Sequence, residues 1–265
     1  MATHVIDFEI HGEEMQYVDI ILDPDETVVA EPGAFLVMDE TIRMSTIFGD
    51  GSKPQGFLDK VVSAGKRWLT GEKLFMTAFT NAGHERSRVS FASPFPGRII
   101  PVDLTDVDNK MICQKESFLC AAKGTSVGIE FSKRLGRGFF GGEGFIMQKL
   151  EGDGWAFLHA CGTVMRRTLQ PGELLRVDTG CLVGFTKDVD YDIEFVGGIK
   201  NTLFGGEGVF FVKLVGPGTV WLQSLPFSRL ADRIIAHAPN YGGKRRGEGS
   251  VLGDLGDLIG GDRNI

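Results

Sequence analysis

Three glutamates stand where a recurring phrase puts them. Glu72, Glu143 and Glu207 each follow a glycine and precede an apolar run. Three equivalent carboxylates could ring an axis and bind a cation. A glutamate entering a strand after glycine can also accept backbone N–H bonds at a turn, and it then repeats because the unit repeats. The turn role is the reading adopted. GTSVG (124–128) has the form of a nucleophile elbow around Ser126, but that chemistry needs a strained strand-to-helix turn, and SVGIEFSK continues as an alternating strand. GRGFFG (136–141) has the glycine spacing of a dinucleotide fingerprint, and again a strand rather than a helix follows. No phosphate-binding loop closes on Lys-Ser or Lys-Thr, because Arg67 follows Gly65-Lys66 and Arg245 follows Gly243-Lys244.

Metal and thiol chemistry fare no better. His4, His11, His84, His159 and His237 form no H-x-H or H-x-x-x-H pair, so the usual cupin metal signature is missing. His159, in FLHAC, reads as a packed strand residue, and His84, in NAGHER, as an exposed hairpin tip. Cys113, Cys120, Cys161 and Cys181 form no C-x-x-C pair and sit in apolar runs, as free buried thiols do in a reducing compartment. These residues name no catalytic, metal or cofactor set.

The elements that position them come from composition and repetition. With 37 glycines in 265 residues, the glycine share is about twice the usual one, which short strands joined by tight turns require. Twenty Phe against 3 Tyr suit burial. A net charge of −7 argues against a nucleic-acid role. The start MATHVIDFEIHGEEM lacks the pattern of a signal or transit peptide, and no run approaches a membrane span of roughly 18 apolar residues. The expected location is cytoplasmic.

The phrase GGEGFIMQKLEGDG (141–154) returns as GGEGVFFVKLVGPG (205–218), and a looser copy begins at Gly71-Glu72. Each copy reads as a hairpin whose second strand is SRVSFA, GWAFLHACG or GTVWLQSL. A second phrase, LDPDETVVAEPGAFLVM (22–38), aligns without gaps on LQPGELLRVDTGCLVGF (169–185), with a degenerate version from Asp106. The chain is therefore expected to be all-β with three tandem units: 1–105 with a connector helix near 55–69, 106–168, and 169–235, ahead of a Gly-rich tail at 236–265. Two hairpins cannot bury a hydrophobic face alone, and three units packed side by side remove exposed edges.

The connectors carry cations beside apolar residues: Lys66, Arg67 and Trp68 in the first, Lys133 and Arg134 in the second, Lys200 in the third. If a pseudo-threefold axis relates the units, these six residues share one face and form a candidate partner surface.

GGEGFIMQKLEGDGWAFLHACG, LLRVDTGCLVGF, YDIEF and GGEGVFFVKLVGPGTVWLQS resemble the conserved-unknown bacterial proteins related to the fungal altered-inheritance-of-mitochondria factor. That resemblance implies three short double-stranded β-helix units like those of the tryptophan RNA-binding attenuation protein, assembled as ring-like trimers. It supplies no catalytic residues and no cofactor. The function expected is a non-enzymatic oligomeric scaffold or binding protein contacting a membrane surface or protein partner. RNA binding by fold analogy and cupin-like small-molecule binding are the alternatives.

Overall fold

The computed structural model describes residues 3–48, 75–133, 145–196 and 209–237. These residues are all-β apart from short 3-10 turns and one helix, α1 (Phe227–His237). Strand β1 (Asp7–His11) precedes a run of six: β2 (Tyr17–Leu22), β3 (Thr27–Ala30), β4 (Phe35–Met38), β5 (Ile42–Phe48), β6 (Phe75–Asn81) and β7 (Ser87–Ala92). The next six are β8 (Gly97–Asp103), β9 (Lys110–Gln114), β10 (Phe118–Ala122), β11 (Ser126–Lys133), β12 (Phe145–Glu151) and β13 (Trp155–Cys161). The last six are β14 (Val164–Leu169), β15 (Leu174–Asp178), β16 (Leu182–Thr186), β17 (Asp190–Val196), β18 (Val209–Val215) and β19 (Gly218–Gln223).

The pairing is antiparallel and recurrent. β7 pairs β2 and β4, while β6 pairs β3 and β5. Six strands on, β13 pairs β8 and β10, while β12 pairs β9 and β11. Six strands further, β19 pairs β14 and β16, while β18 pairs β15 and β17. Even the irregularities recur, with a bulge between Phe35 and Val37, Phe118 and Cys120, and Leu182 and Gly184.

Four sheets result: an outer β1-β2-β7-β4, two inner sheets β5-β6-β3-β10-β13-β8 and β11-β12-β9-β16-β19-β14, and an outer β15-β18-β17. A core lies in each gap. Ile20, Phe91 and Phe79 fill the first, Met76, Leu158 and Leu150 the second, Phe145, Phe185 and Leu214 the third. Each such Phe or Leu contributes about 2–3 kcal/mol by leaving water. The inner sheets are covered on both faces, which is why FLCAA in β10 is apolar without alternation and buried throughout.

The expected Gly-turn hairpins do not form. β6 and β7, β12 and β13, and β18 and β19 flank those turns, yet each pair is split between two different sheets. Both strands of each pair carry buried apolar residues, so the turn works as a corner that carries the chain across a core. The second repeated phrase, in contrast, repeats in atomic detail. Asp23 N donates to Glu26 Oε2 at 2.9 Å, and Gln170 N donates to Glu173 Oε2 at 2.9 Å. Asn81 N then donates to Glu26 O, and Gly216 N to Glu173 O, both at 3.0 Å. Matching residues 147 positions apart therefore close the same turn.

Glu72, Glu143, Glu207, Lys66, Arg67, Trp68, Arg134, Lys200 and the connector helix at 55–69 lie outside the described residues. Lys133 is the last residue of β11. Ser126 opens a strand after a turn at Gly124, not a helix, so the elbow geometry is absent there. Among the described residues no helix is long and apolar enough to cross a membrane.

Candidate functional site

Each inner sheet is two three-stranded halves fused at one seam. In the first, β10 meets β3 with Cys120 opposite Ala30, Ala121 opposite Val29 and Ala122 opposite Val28. In the second, β16 meets β9 with Gly184 opposite Cys113, Phe185 opposite Ile112 and Thr186 opposite Met111. The strands corresponding to these two members are β4 and β15. Among the described residues β4 pairs only with β7, and β15 only with β18, so both lie at the edges of the outer sheets.

Burial shows the consequence. Phe118, Leu119 and Cys120 of β10 are 2%, 1% and 0% exposed, and Leu182 and Val183 of β16 are at 0%. Their counterparts in β4, Phe35, Leu36 and Val37, are 41%, 50% and 56% exposed. At the far end Leu174 of β15 is 43% exposed. Charge and proline commonly blunt such edges, whereas β4 carries the apolar run FLVM there. The sequence reading missed these residues. The signal was available, since FLVM in β4 aligns with segments that read as core.

Beside β4 runs an apolar groove of about 320 Å³, lined by Met15, Tyr17, Leu36, Ala92, Pro94 and Phe95 among others. Helix α1 starts nearby, with Phe227 stacked on Phe95 at 5.4 Å and Arg229 Nη2 on Asp178 Oδ2 of β15 at 2.7 Å.

A family model described as mitochondrial biogenesis AIM24 matches residues 8–225. The chain belongs to the AIM24 family. It is similar to an uncharacterised protein of Streptococcus pyogenes serotype M6, 26% identical over 226 residues that span 84% of this chain and 86% of the relative. A crystal structure of a Streptococcus pyogenes protein superposes with a TM-score of 0.68 at 21% identity, covering 88% of this chain and 100% of that one, and it speaks for the fold.

Two polar constellations in this AIM24 chain complete the survey. Glu9 and His11 on β1 and Asp19 on β2 bring one ligand atom each within 4.8 Å of one another. The sequence reading found no such set because the donors come from two strands. Asp19 is already held by Ser90 Oγ at 2.5 Å, His11 Nε2 at 3.1 Å and Arg88 Nη1 at 3.3 Å. Arg88 already sets a positive charge beside Asp19, and these contacts tie β1, β2 and β7 together.

His159 lies in β13, opposite Ile99 of β8. Its Nδ1 is 3.3 Å from Ser93 Oγ, and its ring is tilted on Phe95 with centroids 4.8 Å apart. Burial pushes the imidazole down to about 4, outweighing a backbone bond at Phe118 that favours the proton. A neutral, packed histidine results, as FLHAC suggested.

Proposed function

We propose that the protein is a non-enzymatic scaffold or binding protein that assembles with copies of itself. The chain is three tandem units, 17–92, 97–161 and 164–223, each a short double-stranded β-helix that starts one strand ahead of the repeated phrase. Successive units are related by like steps, and the threefold relation is completed between copies rather than within one. β15 of one copy continues its sheet onto β4 of the next, with Val177 opposite Val37, Arg176 opposite Met38 and Leu175 opposite Asp39. That register transfers the two internal seams position by position. Because the two ends differ, the interface is head-to-tail and must close into a ring. Three copies are favoured.

The observation that carries this reading is the contrast between Leu36, half exposed, and Leu119 and Val183, its buried counterparts. Light scattering on the purified chain tests it: three chain masses are expected. Val37→Asp, which puts a charge on an exposed edge, should give single chains that keep the parent's β-sheet circular dichroism spectrum. A parent chain that stays monomeric at micromolar concentration removes the proposal.

The contacted partner is read as a membrane surface or protein. The basic connectors depart from and return to corresponding strand ends, Phe48 opposite Phe75, Lys133 opposite Phe145 and Val196 opposite Val209. Assembly would bring several copies of Lys66, Arg67, Trp68, Lys133, Arg134 and Lys200 into one particle, multiplying weak contacts. Flotation with anionic vesicles at low salt tests this, and no loss of binding in Lys66→Glu/Arg67→Glu would dismiss it. The free thiols at Cys113, Cys120, Cys161 and Cys181 support a cytoplasmic location.

A further inference from the structure

The groove beside β4 has two internal counterparts, and both are filled. At the corresponding place in the second run of strands stands His159, equivalent to Ala92. The turn after β7 covers it: Ser93 Oγ lies 3.3 Å from His159 Nδ1, the Phe95 ring packs on the imidazole at 4.8 Å, and Gly162 N donates to Pro96 O at 3.1 Å. In the third run the equivalent residue is Gln223. There the turn after β13 does the covering, with Cys161 N donating to Gln223 Oε1 at 2.8 Å and Leu225 N to Cys161 O at 3.3 Å. Each socket is thus closed by the turn that follows the last strand of the preceding run. Only the socket of the first run has no preceding run within the chain. The turn left over, having no following run to close, is Ser224–Phe227, which leads into α1.

We infer that the groove lined by Met15, Tyr17, Leu36, Ala92, Pro94 and Phe95 receives the Ser224–Phe227 turn of a second copy. The chemistry matches at both ends. Ala92 is the smallest residue at the three equivalent positions, and it lines a groove of about 320 Å³. The entering turn offers the half-buried Leu225 and the edge of Phe227, which is 46% exposed although its ring stacks on Phe95 of its own chain, while Pro226 is buried and holds the turn to its own chain. The polar contacts made by His159 and Gln223 are thereby replaced by an apolar knob in an apolar socket, which distinguishes the joint between copies from the seams inside one. The assignment rests on the head-to-tail reading above, since the β15–β4 seam is what carries the turn to the groove.

Cross-linking separates the two ideas. In a Cys181→Ser background, full-length Ala92→Cys and Leu225→Cys chains are mixed and treated with a short thiol-to-thiol reagent, and the linked peptides are read by mass spectrometry. A parallel mixture pairs Val37→Cys with Val177→Cys. Interchain links in both mixtures are the expected result. A link between positions 37 and 177 without one between 92 and 225 overturns the socket and leaves the strand seam standing. Links in neither mixture overturn both. As a second measure, Ala92→Trp fills the groove and should weaken assembly about tenfold or more while the β-sheet circular dichroism spectrum of the chain is kept. Undiminished assembly of that variant overturns the socket.

Discussion

At the scale of single residues, the molecule commits buried polar groups to holding strands in place. Asn81 is fully buried at the end of β6, where Nδ2 donates to Leu22 O at 2.9 Å and Glu85 O at 2.8 Å while Oδ1 accepts from Gly83 N at 2.9 Å. Asn81→Ala leaves two carbonyls and an amide N–H unsatisfied, and denaturant titration should show a loss of ~3 kcal/mol. His159 makes stability depend on pH. The unfolded chain takes up a proton below the ordinary 6.5, and the folded chain only below about 4. The unfolded state therefore binds more protons between those values, so stability falls as pH drops through that window, by on the order of 3 kcal/mol in all. His159→Gln borrows the residue the chain already uses at Gln223, and its melting curve should be flatter from pH 6.5 to 4 than that of the parent. Equal slopes would mean that the imidazole is not desolvated. The reading of FLHAC as packed strand was within reach of the sequence because apolar neighbours flank the ring. The clamp around Asp19 was not, because Arg88 and Ser90 come from a strand more than 60 residues away.

At the scale of elements, repetition was legible and connectivity was not. The phrases 147 positions apart share a turn whose bonds are the same, so the likeness of letters is a likeness of geometry. The hairpins inferred from the Gly-Glu phrase failed for a physical reason. A glycine turn between two apolar strands suits a hairpin and a corner equally well, and which of them forms depends on what lies across the core. Those partners, such as β2 for β7, are far away in sequence. The corners make some glycines indispensable. A Cβ on Gly97 would lie 1.8 Å from Ala160 O in the β8–β13 ladder, and Gly97→Val should therefore cost ~3 kcal/mol, read as a lower denaturant midpoint. A tolerated valine would show that β8 can move away from β13.

At the scale of the whole molecule, the described residues form four sheets whose two outer members differ, a difference that would give the proposed assembly its direction. The inner sheets hold six strands, whereas the outer ones hold four, including β1, and three. The edge positions of β4 and β15 were invisible in the sequence, since these strands carry the same kinds of residue as their buried counterparts, and an edge is set by pairing between segments far apart in the chain. Mixing parent chains with Val37→Asp chains should deplete complete rings more steeply than simple dilution with buffer, as measured by native mass spectrometry. Depletion merely in proportion to the parent fraction would mean that the variant is excluded from assembly altogether.

If copies join head to tail as proposed, the unlike ends give a lesion in β4 a reach beyond its own chain. Such a chain would keep a working β15, enter an assembly and leave it unfinished, whereas damage to a core phenylalanine would remove only the chain that carries it.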